Sequence, residues 1–107
     1  MNSQYKELLS VLHDCAASCN HCFDACLGEE DVKMMAACIR LDRECADMCS
    51  YLEQAIMRNS PFVSQLAKVC AEICEACAEE CGKHHHDHCK QCAEACRKCA
   101  EACRAIA

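Results

Sequence analysis

The intervals between cysteines constrain this chain more than any other feature. Cys15, Cys19, Cys22 and Cys26 stand four, three and four residues apart, and Cys70, Cys74, Cys77 and Cys81 repeat that series. Cys89, Cys92, Cys96, Cys99 and Cys103 follow the same alternation, and Cys38, Cys45 and Cys49 keep to it more sparsely. At about 100° per residue, such intervals hold each set within one narrow stripe of a helix. These are the seam positions that face a bundle core. The spacing therefore predicts four helices with inward cysteine stripes.

The punctuation agrees. The chain has only two glycines and one proline. Gly28 and Gly82 stand where a first and a third helix would close. Ser60-Pro61 reads as an N-cap followed by proline at the first helical position. Ser3, Asp31 and Asp87 are further N-cap candidates. The expected helices cover about residues 3–27, 31–58, 61–81 and 88–106. Short turns between them favour antiparallel neighbours. No segment alternates with period 2 or carries a β-branched run, so strands are not expected. The fold class is all-α: one domain over residues 1–107, an antiparallel up-down-up-down four-helix bundle with a cysteine-lined core.

Aliphatics continue the stripes. Leu8, Val11 and Leu12 extend the first, Leu52 and Ile56 the second, Val63 and Leu66 the third, and Ile106 the fourth. In this topology they gather at one end as a plug, and the rest of the interior is a tube of thiols. Lys6, Glu7, Arg43, Glu44, Glu72, Glu75, Glu79, Lys90, Glu94, Arg97, Lys98 and Glu101 lie on the other faces as ordinary surface charge.

Sixteen cysteines against two Phe, two Tyr and no Trp is a share that flags a disulfide or metal scaffold. The start MNSQYKELLSVLHDC has no basic segment, long apolar run or small-residue cleavage site, so no signal peptide is expected. No stretch approaches a transmembrane span. A cytoplasmic location follows as the expectation, and reduced thiols there point to metal more than to disulfides. The net charge of −6 gives no electrostatic reason to seek nucleic acid or an anionic membrane.

Side chains three and four apart on a helix have Cβ atoms about 5–6 Å apart, so two sulfurs can straddle one ion. Soft thiolates select soft ions such as copper(I), although zinc and iron–sulfur clusters also use them. Charge separates these candidates. One monovalent copper per thiolate leaves the core neutral. Sixteen thiolates in tetrahedral Cys₄ zinc sites would leave an excess of about eight negative charges, costly in a low dielectric. Zinc also wants four ligands converging on a point, and iron–sulfur clusters usually draw on loop cysteines. A cysteine can serve as a small core hydrophobe, but packing alone does not account for sixteen on inner stripes. CxxC pairs also suggest a thiol redox protein, yet such motifs usually act at a helix N-terminus, and most here lie mid-helix.

Gly82-Lys83-His84-His85-His86-Asp87-His88 lies opposite the plug and shares its end with Cys26, Met34, Met35 and Cys38. Imidazole and thioether are copper ligands. His84, His85, His86, His88, Met34 and Met35 are therefore candidate ligands of a mouth, with His85 or His88 passing ions to Cys81 and Cys89. A solvated polar loop is the competing reading. His13 and His21 project away from the cysteine stripe and read as surface residues. Asp42 fills the seam slot between Cys38 and Cys45. It could ligate, pair with Arg40 or Arg43, or lie at the stripe's edge; a structural role is the reading preferred. Met48 reads as packing.

The chain resembles the cytosolic copper storage proteins of bacteria. The resemblance covers nearly the whole chain. It is carried by Cys19-Asn-His-Cys-Phe23, Cys38-Ile-Arg-Leu-Asp-Arg-Glu-Cys-Ala-Asp-Met-Cys49, Cys74-Glu-Ala-Cys77, Cys81-Gly-Lys-His84, His88-Cys89 and the last helix. It implies a four-helix bundle, often a homotetramer, that loads many copper(I) ions on inward cysteines and limits toxic free copper. A second helix with three cysteines leaves the ion count and the local coordination there open. The expected chemistry is exchange with a copper chaperone or a small-thiol donor, without catalysis.

Overall fold

The computed structural model describes residues 4–107, so the Ser3 cap lies outside the described residues. The elements are α1 (Gln4–Leu27), a 3₁₀ turn (Val32–Met35), α2 (Ala36–Met57), α3 (Val63–Cys81) and α4 (Asp87–Arg104). Among the described residues there is no strand. Each helix packs on its neighbours in chain order, and α4 returns to α1. The backbones of the diagonal pairs stay apart and only core side chains meet across the centre, so the four helices form a square, elongated bundle of 44 × 19 × 18 Å.

The slim cross-section has a cause in sequence. Cys15, Cys45, Cys70, Cys77, Cys92 and Cys99 are each followed by a buried alanine: Ala16, Ala46, Ala71, Ala78, Ala93 and Ala100. A methyl beside each of these thiols lets adjacent backbones approach and keeps the stripes facing one another. Larger side chains there would force the helices apart.

Helix ends differ from expectation at several points. The second helix does not begin at Asp31: a 3₁₀ turn runs first, and the Asp31 side chain makes no cap bond. Its carboxylate instead faces His86 across the turn. Helix α3 starts at Val63 rather than at Pro61. Ser60 Oγ does accept the Phe62 N–H at 3.1 Å, the bond an N-cap serine makes, but the first full turn forms two residues later. His86, in extended conformation, is the N-cap of α4, and Asp87 lies inside the first turn. There its carboxylate complements the positive end of the helix.

The left-handed residue that closes a helix is Asn59, at φ 55°, not a glycine. It ends α2 in a Schellman motif: Ser60 N–H donates to Ala55 O at 2.9 Å and Asn59 N–H to Ile56 O at 3.1 Å. Gly82 follows α3 in a right-handed conformation. It is needed for space, because a Cβ there would meet Ala78 O at 3.0 Å and an Arg97 guanidinium nitrogen at 3.1 Å.

Leu8, Leu12, Leu52, Ile56 and Val63 are buried at the plug end, with Val11, Leu66 and Ile106 packed partly against them. Each fully buried leucine there contributes about 2 kcal/mol of transfer free energy. Among the described residues the plug is the only aliphatic-rich layer of the core, and it holds together the end beyond the thiols. Among the described residues, no helix is long and apolar enough to cross a membrane.

Candidate metal centre

All sixteen cysteines point inward and are fully buried as free thiols. Helical periodicity supplies this directly, because each stripe occupies the one face its helix turns toward the other three. Sulfur neighbours lie 3.1–4.0 Å apart both along a helix, as in Cys22–Cys26 and Cys77–Cys81, and between helices, as in Cys19–Cys96 and Cys38–Cys81. The column is continuous. Cys22, Cys26, Cys38 and Cys89 form its mouth layer; Cys15, Cys19, Cys45 and Cys96 lie in the middle; Cys15, Cys49, Cys74 and Cys99 lie toward the plug. Within each set the sulfurs are all within 4.8 Å of one another. Cys70 stands 3.9 Å from both Cys49 and Cys74 and closes the column against the aliphatics.

Such spacing suits ions that bridge two or three thiolates, since one sulfur can serve two adjacent ions. Burial opposes ionisation of an unpaired thiol. It pushes Cys26 up, and Cys89 up to about 12. Neighbouring thiols counter this at chosen points. Hydrogen bonds from Cys22 and Cys81 hold Cys38 below the ordinary thiol range, and the reciprocal contacts push Cys81 up. The Cys38 and Cys81 sulfurs lie 3.1 Å apart, within hydrogen-bond reach of each other.

Asp42 is a core residue. It is wholly buried, and its Oδ1 lies 3.3 Å from Cys81 Sγ, 3.3 Å from Cys92 Sγ and 3.4 Å from Cys77 Sγ, with Oδ2 3.7 Å from Cys38 Sγ. Both the stripe-edge position and a pairing with arginine are corrected by this placement: Arg43 pairs with Asp47 at 2.9 Å on the surface, and Arg40 is exposed. Burial, then the neighbouring Cys92 thiol, pushes the Asp42 carboxyl up to about 10. Asp42 with Cys22, Cys81 and Cys92 forms a mixed oxygen–sulfur set of metal-binding size.

The histidine turn meets the column at one residue. His88 Nδ1 lies 3.4 Å from Cys22 Sγ, 3.6 Å from Cys89 Sγ and 4.0 Å from Cys26 Sγ. Its Nε2 lies 2.9 Å from Glu29 Oε2. His86 stacks on it with ring centroids 5.3 Å apart, and His21 meets it edge-on at 6.5 Å. The surface reading of His21 holds for its exposure, but its ring belongs to this group. His84 pairs with Glu80 at 2.9 Å, and His85 is exposed. His13 is a surface residue 4.0 Å from Glu53. Met35 is fully buried in the core whereas Met34 is 74% exposed, so the two methionines separate. Met48 packs partly buried against the core. Glu29 was absent from the residues expected at this end. No spacing signal marks it, because it is brought to His88 by a turn.

The family model for copper storage proteins matches residues 1–107. The chain belongs to the copper storage protein family. Among relatives of the family, an uncharacterised cysteine-rich protein of Bacillus subtilis is 51% identical over 72 residues, 66% of this chain and 67% of that protein. A solved structure described as a Cu(I)-bound copper storage protein, BsCsp3, superposes with a TM-score of 0.95 at 48% identity, covering 98% of this chain and 99% of that one. A cytosolic copper storage protein from Streptomyces lividans, solved during loading with five coppers, superposes at 0.93 and 36% identity, covering 96% and 91%.

Proposed function

We propose that this chain is a copper(I) store: a single metal-binding domain in which all sixteen cysteines, Cys15 to Cys103, act as ligands and ions enter from the histidine end. One observation carries the reading. Sixteen free thiols are buried along one column, and neighbouring sulfurs 3.1–4.0 Å apart suit bridging, low-coordinate ions. Each arriving ion displaces a thiol proton, so the core stays neutral at every stage of filling. Divalent ions lack that property and would leave buried negative charge.

His88 is the ligand best placed to receive an ion, since one nitrogen faces three mouth thiols and His86 stacks on its ring; His84, His85 and Met34 are further candidate ligands at this end. The protein works by exchange with a chaperone or a small-thiol complex and not by catalysis: most of its thiols are buried mid-helix, away from the helix N-termini that would activate them, and the two in first turns, Cys38 and Cys89, are fully buried. A cytoplasmic site of action fits sixteen free thiols and the cytosolic description of the Streptomyces lividans relative. Assembly into a homotetramer fits the resemblance to bacterial copper storage proteins, with Tyr51, Met57, Phe62 and Val69 exposed as apolar surface.

Anaerobic titration with copper(I) against a chromophoric competitor tests the store. Capacity should approach about one ion per thiol, and zinc should saturate near one per four. A copper capacity no larger than the zinc capacity would overturn the reading.

A further inference from the structure

Glu29 sits in the turn after α1, held by its own N–H on Cys26 O at 3.2 Å. Its side chain crosses to the first turn of α4. There one oxygen, Oε2, lies 2.9 Å from His88 Nε2 and 3.0 Å from His86 Nδ1. The far nitrogen of His86 lies 3.4 Å from Asp31 Oδ1, which steadies the stack. His88 is thus clamped with Nε2 on a carboxylate and Nδ1 on sulfur.

We propose that Glu29 is a positioning residue that fixes the His88 tautomer so that the Nδ1 lone pair faces the mouth thiols. A neutral imidazole has one N–H and one lone pair. An ionised carboxylate only accepts, so the nitrogen facing Glu29 carries the hydrogen. Nδ1 is then the acceptor, turned toward Cys22, Cys26 and Cys89, and the thiols donate to it. A metal needs that same lone pair. Without Glu29 the ring is free to present Nδ1–H to the thiols, a form that cannot bind an ion on that side. This inference rests on His88 being the receiving ligand.

Imidazole ¹⁵N–¹H correlation spectra of the reduced apoprotein test it. His88 should be the Nε2–H tautomer in the native protein and in Glu29→Gln, whose carbonyl oxygen still accepts. It should become a mixture in Glu29→Ala. Transfer of the first ion from a small-thiol copper(I) complex should slow about ten-fold in Glu29→Ala and remain near native in Glu29→Gln. In a His88→Ala background, Glu29→Ala should slow transfer no further. Glu30→Ala, an exposed neighbour, controls for charge and folding. A native Nδ1–H tautomer, or an unchanged tautomer in Glu29→Ala, overturns the proposal. If His88→Ala itself loads at the native rate, the receiving role of His88 falls, while the tautomer spectra still decide whether Glu29 sets the ring.

Discussion

The two ends of the thiol column differ in kind. Toward the plug, Cys15, Cys49, Cys70, Cys74 and Cys99 see only sulfur and then aliphatic carbon. Toward the mouth, Cys22, Cys38, Cys81, Cys89 and Cys92 share their space with the Asp42 carboxyl and the His88 ring. The plug half is uniform and offers every ion the same soft surroundings. The mouth half mixes oxygen, nitrogen and sulfur around its thiols. A uniform lining favours capacity. A mixed one favours the first capture and the passing on of ions.

The strongest way to break this contrast is to remove one layer at a time. Replacing Cys15, Cys49, Cys74 and Cys99 together by alanine, or Cys22, Cys26, Cys38 and Cys89 together, should each lower copper capacity by about a quarter, since each layer holds four of sixteen thiols. Only the mouth set should also slow the earliest loading phase. Equal kinetics for both sets, by stopped-flow transfer from a small-thiol complex, would erase the distinction.

A smaller effect separates the plug from the thiols. Leu52→Ala removes a fully buried side chain and should destabilise the apoprotein by about 3 kcal/mol in chemical denaturation. Copper capacity should be unchanged. A fall in capacity would mean that the aliphatic layer shapes the thiol sites.

The smallest effect sharpens the mouth. Asp42 has its carboxyl raised to about 10 in the fold, against about 4 when unfolded. A raised value means that the folded state binds the proton more tightly. The stabilisation is full below pH 4 and is lost as pH rises toward 10. Between pH 6 and 8 the reduced apoprotein should lose about 2 kcal/mol of stability, and Asp42→Asn should flatten that slope. A native protein equally stable at both pH values would show that Asp42 is already ionised.

Much of this was legible in sequence, for a physical reason. The three-and-four rhythm of the cysteines is set by the geometry of one helix, so it announces both the helices and the inward stripe. The aliphatic runs at matching helix ends gave the plug by the same logic. What escaped was set by contacts between helices. Asp42 stood in the seam by spacing, but whether its carboxyl faced sulfur or arginine depended on three other helices. Glu29 reaches His88 across 59 residues through a turn. The alanines beside six cysteines carry no periodic signal beyond that of the cysteines themselves, although Cys-Ala, present on all four stripes and repeated on α3 and α4, could have marked them. Asn59 escaped because glycine is the usual left-handed residue after a helix, whereas asparagine adopts that conformation less often.

Leu12, Leu52 and Ile56 leave the column blind at their end. An ion held beside these aliphatics has other thiols between it and the open end, so it is the furthest from release.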